Sequence, residues 1–209
     1  MCIHCSSLER HRLLWFFLKH KSGLFDDTYK IILHVAPESC LKAELEDHFK
    51  TNYITADLRD PAVKINMDIT DIPYSDETFD VVLCNHVLEH VPNDRKALSE
   101  LFRILKQGGW AILLVPICGD TTYEDPSLVT PRDRLEAFGL EDHVRRYGRD
   151  YVNRLQEAGF EVAVVKTANL IGRESATLMG LTEASGDIYQ CFKPPRSCSG
   201  SQNDIVMNA

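Results

Sequence analysis

Several short polar stretches carry residue types suited to chemistry: "HVAPES" at 34–39, "ADL" at 56–58, "MDITD" at 67–71, "NHVLEH" at 85–90 and "EDHVRRYG" at 141–148. Asp57 falls about 20 residues beyond the first of them, the offset at which an acid reaches the hydroxyls of a ribose. A carboxylate suits that task because it accepts from two vicinal hydroxyls at once. The alternative is a solvated loop acid. Asp68, and less so Asp71, could accept from an adenine amino group, or simply serve a turn. His86 carries an imidazole and is a candidate general base; packing and helix capping are its other roles. His86 and His90 stand four apart on one helix face. Their order, His-x-x-Glu-His, supplies no third nearby ligand for a metal. No metal is expected there.

These stretches need a scaffold. The apolar runs Ile31–Ala36, 52–58, 79–84, 110–117, 160–166 and 187–192 read as strands, with a short one within 63–73 that Pro73 stops. Residues 8–20, 39–50, 94–106 and 148–158 read as helices, with Ser39 as an N-cap and Gly108-Gly109 ending the third. Strands alternating with helices, and strands apolar along their whole length, argue an α/β fold with a parallel sheet covered on both faces. Ligands of such sheets bind at the carboxyl ends of the strands, near the point where strand order reverses. The first four polar stretches fall at those ends.

The succession "ILHVAPESC … ADL … MDITDIPYSDETFDVVLCNHVLEHVPNDRKALSELFRILKQGGWAILLVPI" resembles a class I S-adenosylmethionine-dependent methyltransferase, of the type 11-like kind. The likeness is detailed over 30–117 and looser to 193. It implies a Rossmann-like, doubly wound seven-stranded sheet, mostly parallel with the last strand antiparallel. It also implies S-adenosyl-L-methionine as cofactor, lying across the first, second and fourth strand ends. On that reading the cofactor-binding residues are His34, Ala36, Pro37, Glu38, Asp57, Leu58, Asp68, Ile69, Asn85 and His86.

The opening turn departs from the family. His34 stands where an acid is expected, and Ala36-Pro37-Glu38 replaces a glycine-rich turn. Glycines admit positive φ and close backbone approach. Pro37 would make the turn without positive φ, and Glu38 would meet the cofactor's ammonium in place of His34. The alternative for Glu38 is a helix-start acid favoured by the dipole. "HVAPE" resembles a variant opening in a bacterial subgroup. "MCIHC" resembles the end of a zinc-knuckle module that precedes "SLERHRLL" in longer relatives of that subgroup. Cys2 and Cys5 are half of a four-ligand zinc site. His4 and His11 could complete it, but a remnant with free thiols is the expectation.

The polar segment 118–151 is the candidate acceptor-binding region, since long polar loops over a site are commonly functional. It offers Tyr123, Glu124, His143, Arg145, Arg146 and Tyr147; His143 and Tyr147 join His86 as candidate catalytic residues. Arg145 or Arg146 could meet an anionic group, or belong to a solvated ion-pair cluster.

The net charge of −8 argues against a general polyanion surface. A small-molecule acceptor is therefore expected, ahead of protein or RNA, in a monomer or homodimer. A non-catalytic S-adenosylmethionine-binding partner is the competing class. A nicotinamide oxidoreductase is disfavoured because Gly-x-Gly-x-x-Gly is missing. The longest early apolar run, Leu13–Leu18, is too short to span a bilayer. Seven scattered cysteines suit a reduced, cytoplasmic protein. Expected segments are a helical one at 1–29, a methyltransferase domain at 30–193 and a disordered tail at 194–209.

Overall fold

The structure is a computed structural model and describes residues 1–182 and 185–196. The tail expected beyond 193, with Cys198, lies from residue 197 on outside the described residues. The chain runs through α1 (Glu9–His20), β1 (Ile32–Val35), α2 (Ser39–Phe49), β2 (Tyr53–Asp57), β3 (Ile65–Asn66) and β4 (Phe79–Asn85). It continues through α3 (Asp94–Ile104), β5 (Leu105–Leu114), β6 (Tyr123–Glu124), α4 (Pro131–Phe138), β7 (Arg145–Arg146) and α5 (Tyr151–Glu157). β8 (Glu161–Val165), α6 (Thr167–Leu170), α7 (Arg173–Leu178) and β9 (Ile188–Phe192) complete it.

Seven strands form one sheet in the order β3-β2-β1-β4-β5-β9-β8. β9 is antiparallel to both of its neighbours and the other pairings are parallel. The seven-stranded, mostly parallel α/β sheet with its last strand reversed is thus as expected. The chain winds outward from β1 through β2 to β3, then returns to place β4 on the other side of β1. The β1/β4 boundary is the switch point, and a crevice is expected beyond its strand ends.

Burial explains these elements. All four residues of β1 are buried, as are the last five of β4, from Val81 to Asn85, as central strands covered on both faces require. Helix α1 sends Leu13, Leu14, Phe17 and Leu18 into the same core. Helix α3 buries Ala97, Leu98, Leu101 and Ile104 along one stripe.

Three local expectations are corrected. Ser39 is the first residue of α2, and Glu38 occupies the N-cap position without a side-chain cap bond. Gly108-Gly109 do not end α3, which stops at Ile104; they lie inside β5. Phe79 pairs with Leu105 but Val81 pairs with Trp110, so β5 bulges there. A Cβ on Gly109 would come within 2.9 Å of the Asp80 and Lys106 carbonyls, which is why the bulge takes glycine. Finally, 118–151 is no open loop. It holds the β6/β7 ladder, α4 and the start of α5.

Candidate functional site

The parallel register sets Val35 opposite Cys84 and Ala56. The chain therefore leaves β1, β2 and β4 at one level, bringing Ala36, Asp57 and Asn85 to the same edge of the sheet. Ala36 and His86 both hold left-handed backbone, at φ 46° and 55°. The expectation that this turn avoids positive φ is thus corrected: Ala36 adopts the conformation that glycine would take without strain. Its amide donates to the Ala56 carbonyl (2.7 Å), and that of His86 to Leu114 (2.8 Å). Non-glycine residues in this region cost roughly 1–3 kcal/mol and cluster at functional sites.

Glu38 turns away from its helix and into the crevice. His34, wholly buried in β1, donates from Nε2 to Glu38 Oε2 (2.8 Å), while its Nδ1 shares a bond with the Tyr53 hydroxyl (2.7 Å). The other oxygen, Oε1, accepts from Asn85 Nδ2 (3.2 Å). Burial by itself would raise the Glu38 carboxyl, but the hydrogen bond and charge of His34 outweigh it and hold the group below its ordinary value. His34 is thus the support of Glu38 rather than a cofactor contact of its own. Asn85 is nearly buried, and its Oδ1 has no partner among the described residues.

These groups line a cavity of about 290 Å³ bounded by Ala36, Glu38, Asn85 and His86, and by Arg10 and His11 of α1. A larger cleft of about 820 Å³ shares Arg10 and His86 with it and reaches Glu89, His90 and His143. Four buried side-chain atoms lack partners among the described residues: Arg10 Nε, Asn85 Oδ1, Glu89 Oε2 and Gln107 Oε1. Three of the four belong to residues lining the two cavities. Buried polar groups without partners are uncommon.

Asp57, Leu58, Asp68 and Ile69 lie along the same sheet edge but line neither cavity. Asp57 Oδ1 accepts from the amides of Arg59 (2.7 Å) and Asp60 (2.8 Å). Asp68 Oδ1 accepts from the Thr70 amide and hydroxyl. One oxygen of each acid therefore closes a turn, and one remains. Leu58 is exposed, whereas Ile69 sits in the core and leaves only its backbone for a ligand.

Tyr147, expected as catalytic, is corrected. It is fully buried, lines neither cavity, and donates to Asp94 Oδ2 (2.7 Å). Burial and then the Asp94 charge push its hydroxyl far above the ordinary range. Arg145 is likewise unavailable to an anionic ligand. It is 3% exposed and donates to the Leu88 (2.7 Å), Val91 (2.5 Å) and Pro92 (2.8 Å) carbonyls and to Glu124 (3.0 Å). Arg154 bridges Asp94 (2.7 Å) and Glu124 (2.9 Å), and its hydrogen bond holds Glu124 below the usual carboxylate range. This network clamps 118–154 onto the turn after β4.

His143 does reach the larger cleft, and burial lowers its imidazole. His86 Nδ1 lies 3.4 Å from Glu89 Oε1. The sequence reading missed Arg10 and Glu89. Arg10 sits in a basic helix flank that reads as solvated, and Glu89 reads as one more acid of a short helix.

Residues 37–113 match a family model described as methyltransferase domain. That stretch runs from Pro37 into β5 and contains Glu38, Asp57, Asp68, Asn85, His86 and Glu89. Over 52 residues the chain is 54% identical to an uncharacterized protein of Methanocaldococcus jannaschii, covering 25% of this chain and 23% of that one. It is 41% identical over 49 residues to the demethylmenaquinone methyltransferase of Clavibacter sepedonicus, covering 23% and 20%. The chain thus spans about a fifth to a quarter of the length of these relatives. The structure of an S-adenosylmethionine-dependent methyltransferase from Mesorhizobium loti superposes with a TM-score of 0.55 at 13% identity, covering 86% of this chain and 97% of that one. The seven-stranded sheet is therefore the Rossmann-like methyltransferase fold. No helix among the described residues is long and apolar enough to cross a membrane.

Proposed function

We infer that this protein is an S-adenosylmethionine-dependent methyltransferase acting on a small molecule. One observation carries the reading. At the β1/β4 switch point, a half-buried carboxylate held by His34 lines a cavity beside two left-handed residues, and an oxygen of Asn85, another lining residue, has no partner among the described residues. Glu38 would accept from the cofactor's ammonium, Arg10 would meet its carboxylate, and Asp57 would accept from the ribose hydroxyls. Asp68 and Ile69 are the proposed neighbours of the adenine, with Leu58 beside the ribose.

S-adenosylmethionine supplies a methyl group on a sulfonium, ready for in-line displacement. The protein's share is to align the acceptor and exclude water. His86 lines both cavities and so stands between the two ligands. Glu89, 3.4 Å from its Nδ1, would favour the tautomer that leaves Nε2 as a base, able to take the proton of a hydroxyl, amine or thiol acceptor. His143 lines the acceptor side. A cleft of about 820 Å³ suits a small molecule, as does the net charge of −8.

Calorimetric titration with S-adenosylmethionine, S-adenosylhomocysteine and NADH tests the reading. Micromolar binding of the two sulfur ligands without NADH is expected, and about tenfold weaker binding, ~1.4 kcal/mol, in Asp57→Ala. Failure of both sulfur ligands to bind the folded chain would remove the assignment.

A further inference from the structure

The polar cluster on the wall of the larger cleft holds more than the methyl-transfer reading uses. Glu89, His90 and His143 each offer one ligand atom, and these atoms all lie within 4.8 Å of one another. Glu89 is 2% exposed, and its Oε2 has no partner among the described residues. His143 is 8% exposed, and its ring meets that of His90 edge-on with centroids 4.7 Å apart. His90 Nδ1 lies 3.2 Å from Asp142 Oδ2.

A buried carboxylate oxygen without a partner is costly. No imidazole N–H reaches that oxygen here, and a dication would take it together with the two neighbouring imidazole nitrogens at once. We propose that Glu89, His90 and His143 form a binding site for a divalent transition metal of the Zn²⁺ class, on the wall of the acceptor cleft. Two imidazole nitrogens and one carboxylate are a ligand set such ions accept, with further positions left open. Asp142 on Nδ1 would leave Nε2 of His90 to the metal, as an outer carboxylate orients a ligating imidazole. The backbone already fixes the two segments. The Val144 amide donates to the Glu89 carbonyl (2.9 Å), and Arg145 ties down the Leu88 and Val91 carbonyls. Four-coordinate zinc holds its ligand atoms about 3.4 Å apart, so closure asks for a side-chain adjustment, which half-buried His90 has room to make. That an open position would hold an acceptor oxygen, nitrogen or sulfur rests on the methyltransferase reading; the metal binding does not.

The test uses the full chain carrying Cys2→Ser and Cys5→Ser, so that no terminal thiolate pair competes. Calorimetry with Zn²⁺ should give one site of micromolar affinity or better. Co²⁺ should give visible bands without thiolate charge-transfer absorption. His90→Ala changes a half-buried side chain and should fold; it is expected to weaken Zn²⁺ binding at least tenfold while S-adenosylmethionine binding persists. His143→Ala should do the same where circular dichroism shows it folded. No Zn²⁺ binding by the folded Cys2→Ser, Cys5→Ser chain would overturn the site, as would unchanged affinity in His90→Ala. Zinc binding that persists when S-adenosylmethionine binding fails would sink the enzyme reading and leave this one standing.

Discussion

Two buried polar networks meet the turn after β4, and they are finished differently. Around Asp94, every group has found a protein partner: Tyr147, Arg145 and Arg154 converge on one carboxylate, and Glu124 closes the outside. Around Glu38 the network stops short. His34 and Asn85 hold the carboxylate, yet Asn85 Oδ1 stays unpaired at a cavity wall, and the backbone on both flanks is left-handed. The first arrangement fastens a segment; the second leaves an unsatisfied oxygen on a residue that lines a cavity. Burial and charge alone do not separate structural from functional polar groups, but unfinished hydrogen bonding beside a cavity does.

Substitutions can break or sharpen that contrast. Asp94→Ala should have the largest effect. It leaves the buried Arg145, the half-buried Arg154 and a tyrosine hydroxyl short of a partner, and should lower unfolding free energy by about 3–5 kcal/mol in a urea titration. Tyr147→Phe removes one hydrogen bond to a charged group, so a loss of about 1.5–3 kcal/mol in the same titration is expected. Cofactor affinity measured by calorimetry should not change in that variant. A large loss of affinity would mean that the two networks are not separable.

Glu38→Gln should behave in the opposite way, with about tenfold weaker S-adenosylmethionine binding, ~1.4 kcal/mol, and a small change in stability at neutral pH. The acid side sharpens this. The folded carboxyl lies below its ordinary value, so its contribution is complete above about pH 4.3 and is lost as pH falls through the depressed value. The stability gap between wild type and Glu38→Gln should therefore close on acidification below that range. A gap that widens would contradict the assigned pairing.

Ala36→Gly should have the smallest effect, a gain of about 0.5 kcal/mol in thermal unfolding, as relief of left-handed strain outweighs the glycine's added chain entropy. Weaker cofactor binding in that variant would show that the Ala36 methyl itself contacts the ligand.

Much of this was legible in the residues. Continuous apolar strands alternating with helices specify a parallel sheet, because only a sheet covered on both faces buries them. The acids and amides after those strands fall at the sheet edge for the same reason. The turn at Ala36 misled because Pro37 offers a route without positive φ, whereas the pull of the Ala56 carbonyl on the Ala36 amide is a contact between strands. The Gly108-Gly109 pair misled because a helix stop and a strand bulge use the same residue.

By itself, then, the sequence determined the α/β class, the strand-end location of the polar groups and the likeness over 30–117, since these follow from local periodicity and spacing. Only the tertiary structure decided which polar groups are spent and which are open. Tyr147 and Arg145 have the chemistry of site residues, but contacts to Asp94 and the turn carbonyls consume them. Arg10 carries no motif and Glu89 only an incomplete His-x-x-Glu-His, yet packing buries an atom of each without a partner among the described residues beside a cavity. Hydrogen-bond satisfaction is a property of neighbours brought together from distant positions, and distance along the chain does not encode it.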